Sequence, residues 1–126
     1  MKRKKLKNLD EKAYTFSIQP VHSKKKSMKK SINVRGSMIL SELDHEVRNA
    51  MGYDTWDHLS GFYQGKPGRS NEIATICPDG TGENTTITID ELNLSKGTVI
   101  GHVYDFGDNI QSVLTVEEVV PYDIRF

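Results

Sequence analysis

Gly101-His102-Val103-Tyr104-Asp105-Phe106-Gly107-Asp108-Asn109 separates two runs rich in β-branched residues, 98–103 and 110–120. Apolar residues alternate with polar ones on both sides, and Gly107 offers a residue free to adopt positive φ, so the stretch reads as a β-hairpin. Its tip carries Asp105 and Asp108 beside the ring of Tyr104. Three positions apart on a tight turn, the two carboxylates can face one cation or one basic partner. Aspartates also favour turns for a plainer reason, because their side chains accept hydrogen bonds from nearby backbone amides. His58 or His102 would complete a metal cluster only if the fold carried them to this tip. His102 itself falls inside a predicted strand, where a packed or rim position is expected.

Working outward, Tyr14, Phe16 and Ile18 alternate against Thr15, Ser17 and Gln19, which predicts a half-buried strand ending near Pro20. Met28, Ile32 and Val34 share one parity and predict a second strand closed by Gly36, with a basic loop at Lys24, Lys25 and Lys26 between the two. Ile39, Leu40, Leu43, Val47, Ala50 and Met51 recur at three- and four-residue spacing. That spacing predicts a helix over 38–51, capped by Gly52 at its C-terminus and by Ser37 or Ser41 at its start. Glu42, Asp44, Glu46 and Arg48 are expected mostly on its other faces. Residues 64–72 read as a loop and 73–77 as a short β-prone run, followed by a turn over 78–82. Residues 85–89 are a strand or an extended lead-in, and 89–94 suggest one helical turn.

The Tyr104-Asp105-Phe106-Gly107-Asp108 signature, together with Met51-Gly52-Tyr53, His58-Leu59 and Phe62, resembles the plasmid Ri ORF-three-like family, some members of which carry the label TnpR as passengers of insertion elements. The resemblance runs over roughly residues 13–118 and implies a fold and a mobile-element setting, but no defined activity. It has departures. Ile110 and Ser112 stand where relatives often carry Trp and His after Gly-Asp, and Asp44 where they often carry a helical His. Met28-Lys29-Lys30 replaces a Trp-Arg-Arg stretch, which keeps charge but not the planar bidentate guanidinium. No serine-recombinase context or helix-turn-helix pattern accompanies the TnpR label.

Charge divides the chain sharply. Seventeen Lys and Arg balance seventeen Asp and Glu overall, yet residues 1–36 hold twelve basic and two acidic residues, net +10, leaving net −10 for residues 37–126. The basic segment reads as a contact for a polyanion through Lys2, Arg3, Lys4, Lys5, Lys24, Lys25, Lys26, Lys29 and Lys30, or as a solvated end. The acidic remainder suits a basic protein surface. The aromatic residues Tyr53, Trp56, Phe62 and Tyr63 either lid the core after the helix or grip a partner, with Trp56 the most exposed. Trp56, His58, Tyr104, Asp105 and Asp108 are therefore the candidate partner- or ligand-binding residues.

Enzymatic signatures are few. The four histidines show no paired metal spacing, so no metal site is assigned. Gly61 to Gly68 lacks the Gly-Lys-Ser/Thr ending of a P-loop, Gly-x-Ser-x-Gly is absent, and Cys77 has no sequence-level partner marking it as a nucleophile. No catalytic residue and no cofactor is assigned. With one cysteine and neither a secretory signal nor a membrane span, a cytoplasmic protein without membrane contact is expected. The expected architecture is α+β: a basic flexible arm over 1–11, then one domain over 12–126 with a mixed or antiparallel sheet of about five or six strands and one principal helix packed on a face. The expected function is a non-enzymatic binding module of a mobile element that contacts nucleic acid through the basic segment. The alternative is a protein-interaction or inhibitor module using the acidic face, and a metal-dependent enzyme ranks last.

Overall fold

The computed structural model describes residues 11–22, 28–68 and 70–122. Among these described residues seven strands and one α-helix follow in the order β1 (Lys12–Pro20), β2 (Lys30–Arg35), α1 (Leu40–Met51), β3 (Ser60–Gln64), β4 (Glu72–Ile76), β5 (Gly82–Glu83), β6 (Val99–Tyr104) and β7 (Ile110–Pro121). The class is α+β and strand-dominated. All seven strands join one sheet in the order β2-β1-β7-β6-β3-β4-β5, and every pairing is antiparallel. The sheet thus exceeds the five or six strands expected. The surplus comes from β3, whose five residues include Gly61 and show little alternation, and from β5, whose two residues are too short to carry a period. Residues 85–89 form no strand and contribute one isolated bridge, Ile39 to Thr88.

The hairpin is β6 and β7, which occupy the fourth and third places in the sheet and pair His102 with Ser112 and Tyr104 with Ile110. Its tip differs from expectation in one detail. Positive φ falls on Asp105 (61°) and Asn109 (54°), not on Gly107. Asp and Asn tolerate the left-handed region because their short polar side chains bond locally. Asp105 does so, accepting from the Gly107 and Asp108 amides at 3.1 and 3.3 Å.

Helix α1 ends as its sequence predicts, with Gly52 left-handed at φ 74° and the Tyr53 amide donating to the Arg48 carbonyl at 2.8 Å. Its start does not use Ser37 or Ser41. Ile39 is the N-cap residue, and Glu42 reaches back to accept from its amide at 3.1 Å. The helix packs on both β2 and β4, strands near opposite ends of the sheet, so the sheet curls around it. Leu40, Leu43 and Val47 meet Phe16, Ile18, Phe62, Ile76, Ile100 and Leu114 in one buried core, each large side chain contributing about 1.5–3 kcal/mol. Among the described residues no α-helix covers the outer face of the sheet.

Lys2, Arg3, Lys4, Lys5, Lys24, Lys25 and Lys26 lie outside the described residues. Glu11, counted with the basic arm in the sequence, is docked and buried. It accepts two hydrogen bonds from Arg35, at 2.8 and 2.7 Å, and its carbonyl accepts the Tyr122 amide at 2.8 Å. Among the described residues no helix is long and apolar enough to cross a membrane.

Candidate functional site

Sequence periodicity sends Asp44 and Arg48 to the outer faces of α1, but both are buried, at 3% and 1% exposure. Each follows an apolar residue of the core stripe, Leu43 or Val47, so the pair borders that stripe four positions apart. Arg48 remains soluble in the interior because all five of its N–H donors are used. Nε donates to Asp44 Oδ2 at 2.9 Å; Nη1 donates to the carbonyls of Asp54 and Asp57 at 3.1 and 2.7 Å; Nη2 donates to the His58 carbonyl and Ser60 Oγ at 2.8 and 2.9 Å. Three of these acceptors are backbone atoms of one loop, 53–59. The guanidinium therefore fixes the path of that loop.

Asp44 completes the buried cluster. Its Oδ1 accepts from Ser60 Oγ at 2.5 Å and meets His102 Nε2 at 2.8 Å. Burial opposes ionisation of this carboxyl, but the hydrogen bond and field of His102, the Ser60 hydroxyl and the Arg48 charge outweigh it and hold the group below the ordinary carboxylate value. His102 is fully buried, as a packed histidine is expected to be, with its ring tilted on Phe62 at 5.0 Å. Its Nδ1 has no hydrogen-bond partner among the described residues.

Above this cluster the aromatic groups stack outward. Tyr104 lies parallel to Tyr53 at 4.6 Å and takes the Arg48 guanidinium at 5.1 Å from its ring centroid, while His58 meets it edge-on at 5.6 Å. Tyr53 also shares a hydrogen bond with Ser112 at 2.9 Å between hydroxyl oxygens. Burial, followed by the field of Asp54, pushes the Tyr104 phenol up. His58 has left-handed backbone, φ 69°, and its Nδ1 stands 3.3 Å from Asp105 Oδ2. Asp54 accepts the Trp56 amide at 2.7 Å, a local turn that presents Trp56 to solvent at 88% exposure.

The fold thus brings together His58, Tyr104 and Asp105 from the candidate residues, with Trp56 exposed two positions before His58 on the same loop and Asp108 exposed on the turn of Asp105. It separates them from Lys29 and Lys30, the members of the basic set within the described residues. Lys29 and Lys30 are exposed at the β2 edge, where Lys29 Nζ comes within 4.0 Å of Glu117. Asp105 is joined by His58 but not by His102, which points to Asp44 on the inner face. Among the described residues no group of three or more His, Cys, Asp or Glu is arranged to hold a metal ion.

The family profile described as plasmid pRiA4b ORF-3-like protein matches residues 12–125. The chain belongs to that family. No curated protein matches it in sequence. Among solved structures it is similar to a protein of unknown function from Methanosarcina mazei Go1, with a TM-score of 0.63 and 19% identity, over 94% of this chain and 67% of the other. At that identity the likeness is one of fold. In this ORF-3-like chain the residues that sequence reasoning missed are Asp44, Arg48, Ser60 and Ser112. The Asp44/Arg48 spacing was the available signal, since an oppositely charged pair four apart on the rim of an apolar stripe can be buried as a unit.

Proposed function

We propose that this ORF-3-like protein is a non-enzymatic binding module of a mobile element, which seats a Lys- or Arg-rich segment of a protein partner on the edge formed by loop 53–59 and the 105–109 turn. One observation carries the reading: Trp56 is 88% exposed on a loop whose backbone is held from beneath by the buried Arg48. A large aromatic presented on a fixed backbone loses little conformational freedom on binding, which is the usual character of an interface hot spot. Chemistry selects a cationic partner. Asp54 and Asp57 neighbour Trp56 in the loop, Asp105 stands against His58 of the same loop with Asp108 on its turn, and the face of a tryptophan attracts a guanidinium or ammonium. The net −10 over residues 37–126 adds long-range attraction for such a segment and repels phosphate. The family's plasmid description supports the mobile-element setting.

The test is titration of a fluorescent Lys/Arg-rich peptide into the protein and into Trp56→Ala. At least tenfold weaker binding by the variant, at unchanged melting temperature, is expected; equal binding by both proteins would overturn the reading.

A second reading rests on the charge division. The net +10 of residues 1–36 supports contact with nucleic-acid phosphates, salt-sensitive and largely indifferent to sequence. It is tested by binding of labelled DNA and RNA beside a variant lacking residues 1–10 with Lys24, Lys25 and Lys26 neutralised. That truncation retains Glu11 and so leaves its pairing with Arg35 intact. Binding unaltered by these changes would remove this reading and leave the protein partner.

A further inference from the structure

The outer face of the sheet carries an open cavity of about 880 Å³ whose lining includes Tyr63, Pro67, Glu72, Val103, Phe106 and Gln111. Its volume falls within the range of small-molecule sites, roughly 300–1,000 Å³. A backbone irregularity builds it. Phe62 pairs with Ala74 but Tyr63 pairs with Glu72, so β4 carries one extra residue, Ile73, at this point. In regular register Ile73 would stand across from Tyr63. The bulge turns Ile73 toward the core, where it packs, and brings Glu72 beside Tyr63, whose hydroxyl donates to its Oε2 at 3.3 Å. Gly61 supplies the floor. A Cβ there would lie 3.3 Å from Phe106 Cζ, 3.3 Å from the Tyr63 hydroxyl and 3.1 Å from the Ala74 carbonyl, so the missing side chain lets the two rings approach the sheet.

We propose that this cavity binds a small organic cation, an ammonium or guanidinium group carried on a short apolar stem. The rings of Tyr63 and Phe106 line the space the charge would enter, and an aromatic face attracts a cation. Glu72 is the charged side chain in the lining, and no basic residue accompanies it among the described lining residues, so an anion is repelled and a cation is paired. Asn109 and Gln111, linked at 3.2 Å, add amide groups to one wall. Val103 and Pro67 supply apolar contact for the stem. This goes beyond the partner edge at Trp56, because the bulge, Glu72 and Tyr63 belong to the opposite side of β3 from the Ser60 and Arg48 cluster.

The probes are n-butylguanidinium and n-butylammonium, with n-butanol and glucose as neutral counterparts, followed by amide NMR of the full chain. Both cations are expected to shift the resonances of Tyr63, Glu72 and Phe106 with saturation at millimolar concentration, and the neutral probes to leave them unmoved. Glu72→Gln, isosteric and exposed, should weaken cation binding at least tenfold, and Phe106→Ala on its exposed turn should weaken it severalfold. In Trp56→Ala the cations should still shift Tyr63 and Glu72 with the parent's saturation, which separates this site from the partner edge. Absence of shifts, shifts by n-butanol or glucose equal to those by the cations, or undiminished binding by Glu72→Gln would overturn the proposal.

Discussion

Two arginine–carboxylate pairs, Arg48 with Asp44 and Arg35 with Glu11, use the same ions in opposite surroundings. The first is enclosed, with side chains 1% and 4% exposed, and the arginine has further acceptors in the loop backbone and Ser60. The second is half open: the Glu11 side chain is only 9% exposed, but that of Arg35 is 49% exposed and lies over the Tyr122 ring at 4.1 Å. The buried pair lies four residues apart on one helix and, through Arg48, fixes the path of loop 53–59, whereas the second pair joins residues 24 positions apart. A guanidinium without water must find protein acceptors for every N–H, and the loop carbonyls of Asp54, Asp57 and His58 are what it finds. Arg35, half exposed over its buried Glu11 partner, can exchange protein partners for water and therefore constrains less.

This contrast breaks most sharply at Asp44. Asp44→Ala leaves the Arg48 charge buried without its counter-ion, and a loss of about 3–5 kcal/mol in urea-unfolding stability is expected. Ser60→Ala is a milder cut, because it removes one hydroxyl that accepts from Arg48 and donates to Asp44; a loss of about 1–3 kcal/mol should appear in the same assay. A loss below about 0.5 kcal/mol in both variants would show that the cluster is not under the tension of burial assigned to it.

The half-open pair should reveal itself through pH. Hydrogen bonding from Arg35 is the main cause that lowers the Glu11 carboxyl from its ordinary 4.5 to about 2, against the smaller opposing effect of its burial. A carboxyl depressed in the folded state contributes stability that is complete above its unfolded value and is lost as pH falls through the folded one. Melting temperature should therefore decline between about pH 4.5 and about pH 2 less steeply in Glu11→Gln than in the parent, with Glu11→Gln already less stable at neutral pH. Parallel acid limbs for the two proteins would remove Glu11 from the account.

Trp56→Ala should have the smallest effect on folding, within about 0.5 kcal/mol, since an indole already in solvent forfeits almost no burial. The same substitution should produce the largest loss of peptide binding. A marked fall in stability would mean that the exposed indole is part of the fold rather than its product.

The path from sequence to structure was uneven for a physical reason. Tyr14, Phe16 and Ile18 alternate, and Leu40, Leu43 and Val47 recur at helical spacing, because each set answers to one local period and one buried face. Gly52 ends the helix from its own conformational freedom. β3 was obscure because Ser60, Gly61 and Phe62 are all buried, so no alternation remained to read. Trp56, His58, Tyr104 and Asp105 were legible as candidates by chemistry and by resemblance, but their meeting was not, since His58 and Asp105 are brought together by the pairing of β3 with β6.

The sequence by itself determined the local elements: the central hairpin, the amphipathic helix with its glycine stop, the alternating first strand, and the division of charge between the two ends. Tertiary structure alone decided that Asp44 and Arg48 would be interior. The partners that make this tolerable are contributed from six to 58 residues away, by the carbonyl of Asp54 at the near limit and by His102 at the far one. It also decided that Glu72 would face Tyr63, because a bulge is a property of two strands in register and neither strand contains it alone.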